Sequence, residues 1–329
     1  MRKVKMLLIC CTFFSIIIFS SWGYLVHRTV NQLAIYQLPK SMEPFFFQHM
    51  DYLVRNSIRP DERRNTDPME ASRHFIDLEA YGDSAAWKMP YRWDEAVAIY
   101  SKDSLLKYGY APYWIQTMKE KLTAAFKSGN TDSILFYATD LGHYIGDAHV
   151  PLHTSINYDG QLTNQKGLHS LWESTIPELE ITHYNLNAHH RARYLPHPEI
   201  AIWTAVRHAH QLVQGVFNEE LEATKYFPDS VKYRIQMRNG REVKSYSTAF
   251  ARAYAQRLGK TINQQLLNAA ALCADFWYTA WVDAGKPDLK TTVTRQEKEA
   301  YKLWNRAYRQ NNLIKKNLLL SRQTKTTED

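Results

Sequence analysis

The feature that most constrains this chain is a group of five potential metal ligands within thirty-one residues. His143 and Asp147 are four residues apart, so on a helix they share one face, and His169 and Glu173 repeat that spacing. His153 lies between the two pairs, just after a proline that should end the first helix. Imidazole nitrogens and carboxylate oxygens are zinc ligands, and two facing helices could bring them to one point. The pattern therefore predicts a metal centre between helices.

Hydrophobic periodicity predicts helices nearly throughout the chain. Apolar side chains recur at spacings of three and four in the segments 28–38, 112–129, 132–148, 198–227 and 245–285. Residues 231–246 instead favour a β-hairpin that turns at Asn239 and Gly240. The polar segments 56–69 and 155–167 are predicted to be surface loops. We find no internal repeat and no flexible linker in the sequence, so we predict one all-α globular domain whose helices pack around this metal centre, with at most one small β-hairpin.

Residues 1–21 have the features of a signal peptide. Three basic residues precede the apolar run MLLICCTFFSIIIF, and the small residues Ser20 and Ser21 follow it. The run is shorter than the roughly 20 apolar residues that span a bilayer. A lipoprotein signal fits less well, because the residue before Cys11 is another cysteine rather than a small residue. We therefore predict export, to the periplasm or the medium, after cleavage between Ser21 and Trp22.

The net charge of +8 is concentrated at the two ends of the chain. Residues 290–329 contain ten Lys and Arg against four Asp and Glu, and the signal segment contributes three further cations. The body, residues 22–289, is close to neutral and gives no evidence for a basic nucleic-acid groove. Its one cysteine, Cys273, cannot form an internal disulfide. We predict that residues 22–289 form the folded domain and that residues 290–329 are a solvated basic tail. Within that tail the stretch 297–310 could form a short amphipathic helix.

Three N-terminal motifs add further candidate ligands. WGYLVH places His27 five residues after Trp22, whose α-amino nitrogen and carbonyl oxygen could chelate a metal if cleavage makes it the first residue. RPDERR contributes Asp61, and ASRHFIDLE contributes His74. Each motif is weak alone, and their joint presence with the ligands of residues 143–173 strengthens the prediction of a metal centre.

Taken in order, the motifs WGxxxH, HFID, HxxxDxxxxxH and HxxxE resemble those of the trinuclear zinc phosphoesterases. This superfamily unites bacterial zinc-dependent phospholipases C with the single-strand-specific nucleases of the S1 and P1 types. The resemblance covers nearly all of the mature chain, to about Leu289, and implies a zinc-dependent phosphoesterase domain over residues 22–289 with three zinc ions. The implied ligands are Asp61, His74, His143 and Asp147 for one ion, His153, His169 and Glu173 for a second, and Trp22, His27 and Asp147 for a third.

The resemblance also implies the chemistry. Water activated by the metal ions would attack phosphorus, while zinc neutralises the developing negative charge. Asp61 would orient or deprotonate this water, and Arg64 would contact the phosphate. Asp67 is the alternative to Asp61, because the spacing from Asp61 to His74 is shorter than in the fungal nucleases. The histidines that match no ligand position include His149, His183, His189, His190, His208 and His210.

Two positions resemble the nucleases in how they hold a base. Phe75 and Asp77 occupy the places of residues that stack on the base and hydrogen-bond to its edge. Stacking on an aromatic ring is a common way to hold single-stranded nucleic acid. The alternative is that Phe75 is simply part of the core.

Other positions resemble the phospholipases, so the substrate stays open at this point. Glu173 in place of Asp and the short gap between His153 and His169 are typical of that branch. The acidic residue that phospholipases place near the N-terminal Trp to hold choline is absent, and Leu25 occupies that stretch. We favour single-stranded nucleic acid, with phospholipid as the alternative and a non-catalytic zinc-binding protein as a second alternative. No stable protein partner is predicted, and we expect a monomer.

Overall fold

The computed structural model of this protein describes residues 23–238, 241–291 and 294–323. Helices dominate these residues, which confirms the predicted all-α class. The predicted signal segment, the predicted ligand Trp22 and the predicted turn at Asn239 and Gly240 lie outside the described residues.

The α-helices of the described residues differ widely in length, from one turn to more than seven. In chain order they are α1 (Tyr24–Ile35), α2 (Glu43–Gln48), α3 (Met50–Arg55), α4 (Arg59–Arg63), α5 (Ala85–Lys88), α6 (Trp93–Tyr100), α7 (Lys102–Tyr108), α8 (Ala111–Ser128), α9 (Thr131–Asp147), α10 (Leu168–Ser170), α11 (Ile176–Glu180), α12 (Pro198–Thr224), α13 (Asp229–Lys232), α14 (Thr248–Leu258), α15 (Thr261–Asp283), α16 (Arg295–Arg309) and α17 (Leu320–Gln323).

Shorter elements connect these helices. The 3₁₀ turns are Asn56–Ile58, Ala71–Arg73, Leu78–Tyr81, Pro151–Thr154 and Ile181–His183, and a π-helical turn covers Leu171–Thr175. The strands β1 (Tyr233–Arg238) and β2 (Arg241–Tyr246) pair antiparallel, with Tyr233 opposite Tyr246, which confirms the predicted hairpin.

Four long helices form the core that carries the site. Gly129 and Asn130 join α8 to α9, and the left-handed conformation of Gly129 (φ 66°) reverses the chain so that the two helices pack together. α1 and α15 pack against α9 and against each other. Trp277 of α15 is fully buried, and its ring stacks on Phe46 with 4.9 Å between the centroids. Burying a side chain such as Phe46 contributes about 1.5–3 kcal/mol relative to leaving it exposed.

A second apolar cluster supports the segment that carries His169 and Glu173. α12 and α14 pack together there, and Phe250 of α14 is fully buried. Tyr246 of β2 stacks on Phe250 with 5.0 Å between the centroids, and its hydroxyl donates to the Gln165 carbonyl. The hairpin therefore ends against the loop that leads into α10.

Two predicted boundaries are wrong. The periodic segment 245–285 is two helices rather than one, because Gly259 adopts a positive φ of 59° after α14 and ends it. The predicted surface loop 56–69 begins with a 3₁₀ turn and continues as α4, since Pro60 stands in the first turn, where its missing N–H costs nothing.

The segment after Leu289 is also not the solvated tail that its charge predicted, and the short helix considered for residues 297–310 is present as α16. Tyr308 of α16 is 3% exposed, and Leu313 and Leu319 are each 1% exposed within the main core. These apolar side chains are interspersed among charged ones, so their burial does not show in the net charge. The boundary at residue 289 itself stays a prediction.

The end of this segment packs on the outer side of α1. The Gln32 side chain donates to the Leu318 carbonyl at 2.7 Å and accepts from the Leu320 backbone N–H at 2.9 Å. The hydroxyls of Thr29 and Ser321 are hydrogen-bonded at 2.8 Å. α1 is therefore held between α9 and α15 on one side and the C-terminal segment on the other.

A membrane-spanning helix would need a long apolar stretch. None of the helices in the described ranges is both long enough and apolar enough to cross a bilayer.

Candidate metal centre

The structure brings together all eight predicted ligands that lie within its described residues. They form overlapping groups in which the ligand atoms lie within 4.8 Å of one another. The groups are His27–Asp61–His143, His74–His143–Asp147, His153–His169–Glu173 and His27–Asp147–Glu173. Side chains that are up to 146 residues apart in the sequence thus converge on one point.

His27 reaches this point because α1 crosses α9 at short range. Two glycines of α9 leave room for this crossing. A Cβ at Gly142 would lie 1.9 Å from Asn31 Oδ1, and a Cβ at Gly146 would lie 2.9 Å from His27 Nδ1. The Asn31 amide donates to backbone carbonyls of α3 and α9 and fixes the crossing. As a result the His27 ring stacks on His143 with 4.0 Å between the centroids.

Asp61, His74, His143 and Asp147 form the first half of the cluster. His74 Nδ1 lies 3.0 Å from Asp147 Oδ2 and 3.1 Å from His143 Nε2. Asp61 Oδ1 lies 3.7 Å from His74 Nδ1 and 3.9 Å from His143 Nε2. The Asp61 side chain is 19% exposed whereas the other three are at most 3% exposed. This half of the cluster therefore opens to solvent at Asp61.

His153, His169 and Glu173 form the second half. Glu173 Oε2 lies 2.8 Å from His169 Nε2 and 3.4 Å from His153 Nε2. Glu173 belongs to the π-helical turn Leu171–Thr175, which widens the helix between α10 and α11. Turns of this kind are rare and are frequently found at functional sites. Here the turn directs Glu173 at both imidazoles.

His27 connects the two halves. Its Nε2 lies 3.5 Å from Asp147 Oδ1 and 3.6 Å from Glu173 Oε1. Gly23 is packed so closely against the same carboxylate that a Cβ there would lie 2.6 Å from Glu173 Oε1. The start of α1 therefore lies directly at the cluster. The role of Trp22 stays a prediction, since residue 22 is outside the described range.

Backbone carbonyls fix the orientation of two imidazoles. His143 Nδ1 donates to the Ser57 carbonyl at 2.8 Å, and His153 Nδ1 donates to the His74 carbonyl at 2.8 Å. A carbonyl can only accept, so both Nδ1 atoms carry protons and both Nε2 atoms offer lone pairs to the cluster. This is how metal-binding histidines are commonly oriented in proteins.

The residues present fit a bound cation. His169 Nδ1 faces the Tyr158 carbonyl at 3.3 Å, so in the neutral imidazoles the Nε2 atoms of His153 and His169, 3.3 Å apart, both direct lone pairs at the Glu173 carboxylate. A single proton can relieve the repulsion between only two of these lone-pair donors. A metal ion can accept lone pairs from both imidazoles and from the Glu173 carboxylate at once. Nitrogen and carboxylate oxygen are the donors that zinc binds.

The imidazoles keep the cluster's carboxylates ionised. Burial alone would raise the pKa of the Asp147 carboxyl, but the charges of His143 and His153 and hydrogen bonds from His143 and His74 hold that pKa well below its ordinary value. The pKa of Glu173 is likewise lowered against the effect of burial, chiefly by hydrogen bonds from His153 and two further histidines. Both carboxylates are therefore ionised and available as oxygen ligands for a cation.

The carboxylates in turn make the imidazoles more basic. Burial would lower the pKa of His74, but its hydrogen bonds to Asp147 and Glu70 raise it to about 9. The charge of Asp147 and a hydrogen bond to Glu173 raise the pKa of His153 to about 9 in the same way, against burial. Protons therefore compete with metal ions for these nitrogens.

Glu70 belongs to this environment and was missed by the sequence analysis. Its side chain is completely buried, and it contacts His74, Tyr144, Arg63 and Arg73. Burial would raise the pKa of Glu70, but hydrogen bonds from His74, Tyr144 and Arg63 hold it well below its ordinary value. In the sequence Glu70 stands among charged and polar residues that are typical of a surface loop, so nothing distinguished it.

Arg64 and Asp61, the predicted catalytic residues, lie side by side at the open end of the cluster. Arg64 Nη1 lies 3.7 Å from Asp61 Oδ1, and the Arg64 side chain is 53% exposed. The guanidinium is therefore free to reach a group in solvent. Asp67, the alternative to Asp61, instead forms an ion pair with Arg73 at 2.9 Å and belongs to none of the ligand groups.

The predicted base-binding residues lie in an extended segment next to His74. The Asp77 backbone N–H donates to the Tyr108 carbonyl at 2.7 Å, and a Cβ at Gly109 would lie 2.6 Å from Phe75 Cδ2. Phe75 and Asp77 are both half-buried, so each presents part of its side chain to solvent. Burial and the charge of Glu79 raise the pKa of Asp77 to about 6.

The histidines that the sequence set aside belong to none of the ligand groups. His149 is buried, its Nδ1 donates to the Ile145 carbonyl at 2.8 Å, and burial lowers its pKa to about 4. Others have partners of their own: His183 with Glu180, His190 with Asp275, and His210 with Thr154.

Among solved structures, the alpha-toxin of Clostridium perfringens from avian strain SWCP is similar at 15% sequence identity and a TM-score of 0.45. The matched region covers 81% of this chain and 65% of the toxin, so this chain spans less than two thirds of the toxin's length. A similarity of this size carries no information about the substrate. A search of curated protein sequences gave no match.

A model of the S1/P1 nuclease family matches residues 22–276. That range is more than half of the chain and includes the whole predicted ligand set, from Trp22 to Glu173. The chain therefore belongs to the S1/P1 nuclease family, a family of phosphodiester hydrolases.

Proposed function

We propose that this protein is a zinc-dependent phosphodiesterase that hydrolyses single-stranded nucleic acid. The observation that carries the proposal is the convergence of eight imidazole and carboxylate side chains, from four separate parts of the chain, on one partly open cluster. Ion pairing alone does not account for four ionisable side chains, His27, His74, His143 and Asp147, that are at most 3% exposed and lie against one another. Bound cations do, because they offset the cost of that burial.

Three zinc ions are the proposed cofactors. Asp61, His74, His143 and Asp147 would hold the first, and His153, His169 and Glu173 would hold the second. His27, Asp147 and the terminal amino and carbonyl groups of Trp22 would hold the third. The close packing of Gly23 against Glu173 supports this assignment, because it brings the chain preceding α1 to the cluster.

The chain's own residues bind and orient the substrate. Zinc, when bound, supplies Lewis acidity, which lowers the pKa of water and offsets the charge of the phosphate. Asp61 Oδ1, at the solvent-facing edge, would accept a proton of the attacking water and hold that water in line with phosphorus. Arg64, whose guanidinium lies beside Asp61, would donate hydrogen bonds to a nonbridging phosphate oxygen.

Phe75 and Asp77 would select a nucleotide. The exposed part of the Phe75 ring would stack on a base, and the Asp77 carboxylate would accept a hydrogen bond from the base edge. Both follow His74 directly along an extended segment whose backbone is fixed by the Tyr108 and His153 carbonyls. Paired bases cannot reach an aromatic ring in this way, so a single strand is the preferred substrate.

Phospholipid is the second candidate substrate, and Glu173 is the residue that favours it. Glutamate at this position and the short loop between His153 and His169 resemble the phospholipase C branch. A non-catalytic zinc-binding protein is a further alternative. It is less well supported, because every predicted ligand in the described ranges lies in the cluster.

We also propose that the mature protein is exported and monomeric, and that it begins at Trp22. N-terminal sequencing of the secreted protein tests the cleavage site. A mature chain starting before residue 22 would leave the Trp22 nitrogen in a peptide bond and should bind two zinc ions instead of three.

The substrate is tested by parallel assays on single-stranded oligonucleotide, duplex of the same sequence and phosphatidylcholine vesicles, at equal zinc concentration. We expect cleavage of the single strand to be fastest. In Phe75→Ala, loss of one base stack of about 1–3 kcal/mol should lower kcat/KM for the oligonucleotide by roughly 5- to 150-fold, with little change for a small phosphodiester.

Phe47→Ala is the matched control for loss of an aromatic side chain. Phe47 is half-buried in α2 and packs on Tyr301 and Trp304, away from the cluster. It should lose stability without changing the ratio between the two substrates. Release of phosphocholine from vesicles without cleavage of oligonucleotide would overturn the choice of substrate and leave the zinc centre intact.

A further inference from the structure

Glu70 is a buried carboxylate that lies next to the imidazole of His74. It precedes the 3₁₀ turn Ala71–Arg73, so its side chain lies over the same turn as His74, four residues later. Its Oε1 lies 3.4 Å from His74 Nε2. This is longer than an ordinary hydrogen bond, and His74 Nε2 is buried with no hydrogen-bond partner within the described residues. Glu70 is the carboxylate that lies within 4 Å of this nitrogen.

His74 is oriented differently from its neighbours in the cluster. The Nδ1 atoms of His143 and His153 donate to carbonyls, and their Nε2 atoms face inward. His74 has the opposite arrangement: Nδ1 faces Asp147 and His143, and Nε2 faces outward to Glu70. For Nδ1 to offer a lone pair, the proton must be on Nε2, and that proton needs an acceptor.

The surroundings of Glu70 make it a suitable acceptor. Arg63 Nε lies 3.2 Å from Oε2, Arg73 Nη1 lies 2.5 Å from the same oxygen, and the Tyr144 hydroxyl donates to Oε1. Two guanidinium groups on one carboxylate keep it ionised in a buried position. They also leave Oε1 on the side of His74.

We propose that Glu70 is a positioning residue of the metal centre: its carboxylate accepts the Nε2 proton of His74 and thereby directs the Nδ1 lone pair at the cation. The cation is the one proposed to be shared by Asp61, His143 and Asp147. This inference rests on the proposed function of the cluster. Glu70 touches no reacting atom, and its effect on the reaction passes through His74.

Asp140 provides a matched control within the same network. It is 1% exposed, and its carboxylate pairs with Arg59 at 2.6 Å and with Arg63 at 2.7 Å. Asp140 is therefore a buried, doubly paired acid like Glu70, but it has no contact with a histidine of the cluster. Exchanging each acid for its amide removes one buried charge from the network, and only Glu70 contacts His74 directly.

The test compares Glu70→Gln with Asp140→Asn in the full mature chain. Zinc bound per chain and zinc affinity are measured by competition with a chromogenic chelator, and thermal unfolding is followed after zinc has been stripped. We expect Glu70→Gln, which replaces the charged acceptor by a neutral amide, to weaken one of the zinc sites by about 10- to 100-fold, the usual cost of mutating the partner of a ligand histidine. Asp140→Asn should stay within about twofold of wild type, although both variants lose stability when stripped.

Glu70→Asp serves as a second variant if Glu70→Gln does not fold. It keeps the charge that pairs with the two arginines but withdraws the carboxylate from His74, so it too should weaken one zinc site. Unchanged zinc affinity in a folded Glu70 variant, or an equal loss in Asp140→Asn, would overturn the inference. A wild-type chain that binds no zinc would instead overturn the proposed function, whatever Glu70 does.

Discussion

Gly146→Ala tests how closely α1 must approach α9 for His27 to reach the cluster. An added Cβ would lie 2.9 Å from His27 Nδ1, whereas an ordinary van der Waals contact begins at 3.4 Å. The imidazole must therefore move by about 0.5 Å. Metal–ligand distances tolerate only about 0.2 Å of variation, so this displacement is larger than a bound ion can absorb. We expect the zinc site of His27 to lose affinity while the other two sites are retained.

The expected effect on the stability of the zinc-free protein is small, which separates it from the loss of zinc affinity. Alanine in a helix is favoured over glycine by up to about 1 kcal/mol, so the stripped protein should not be strongly destabilised. Gly215→Ala is the control: Gly215 lies within α12, and a Cβ there meets nothing within 4 Å. It should gain the same helix propensity and keep all the zinc.

The assay is elemental analysis of zinc after dialysis against a weak chelator, combined with thermal unfolding of the stripped protein. We expect about one zinc fewer per chain in Gly146→Ala and no loss in Gly215→Ala. If Gly146→Ala keeps wild-type zinc content and wild-type resistance to the chelator, then His27 is not held by the close crossing and the reasoning fails.

Three further predictions concern the cluster and the base site. Removing zinc with a strong chelator should abolish hydrolysis and lower the melting temperature, because each ion present at 100 times its Kd stabilises the fold by about 2.7 kcal/mol; an unchanged melting curve would contradict this. Asp147→Asn should lower kcat by several orders of magnitude, since it removes the charge next to four imidazoles, whereas His149→Ala should have a much smaller effect. Asp77, with a pKa of about 6, is an ionised acceptor only above that pH. The KM for oligonucleotide, relative to that for a small phosphodiester, should therefore rise between about pH 7 and pH 5 in wild type and stay constant in Asp77→Asn.

The sequence predicted the parts of this protein that depend on local periodicity. His143 and Asp147 share a face because α9 is a regular helix, and a spacing of four is enough to infer that. The same spacing between His169 and Glu173 was predicted as a helix, but the turn that carries Glu173 is π-helical. Periodicity cannot predict such a turn, since it depends on which backbone hydrogen bonds form.

Features that depend on burial were harder to predict. Glu70 and Asp67 are both acids in one polar segment, yet Glu70 is fully buried and Asp67 is 37% exposed. The difference arises from packing against Tyr144, which is distant in the sequence. Similarly, the charges around Leu313 and Leu319 indicated a solvated tail, and only their long-range partners make that segment part of the core.

The packing of the C-terminal segment on α1 has a consequence for how the protein folds. Helical proteins usually fold fast, because most of their contacts join residues that are near in sequence. Here the contact between Thr29 and Ser321 spans 292 residues, and it covers the helix that carries His27. Loop-closure entropy opposes such a contact until much of the intervening chain is ordered. The docking of α1, and with it the assembly of the His27 site, should therefore be a late and slow step in an otherwise locally connected fold.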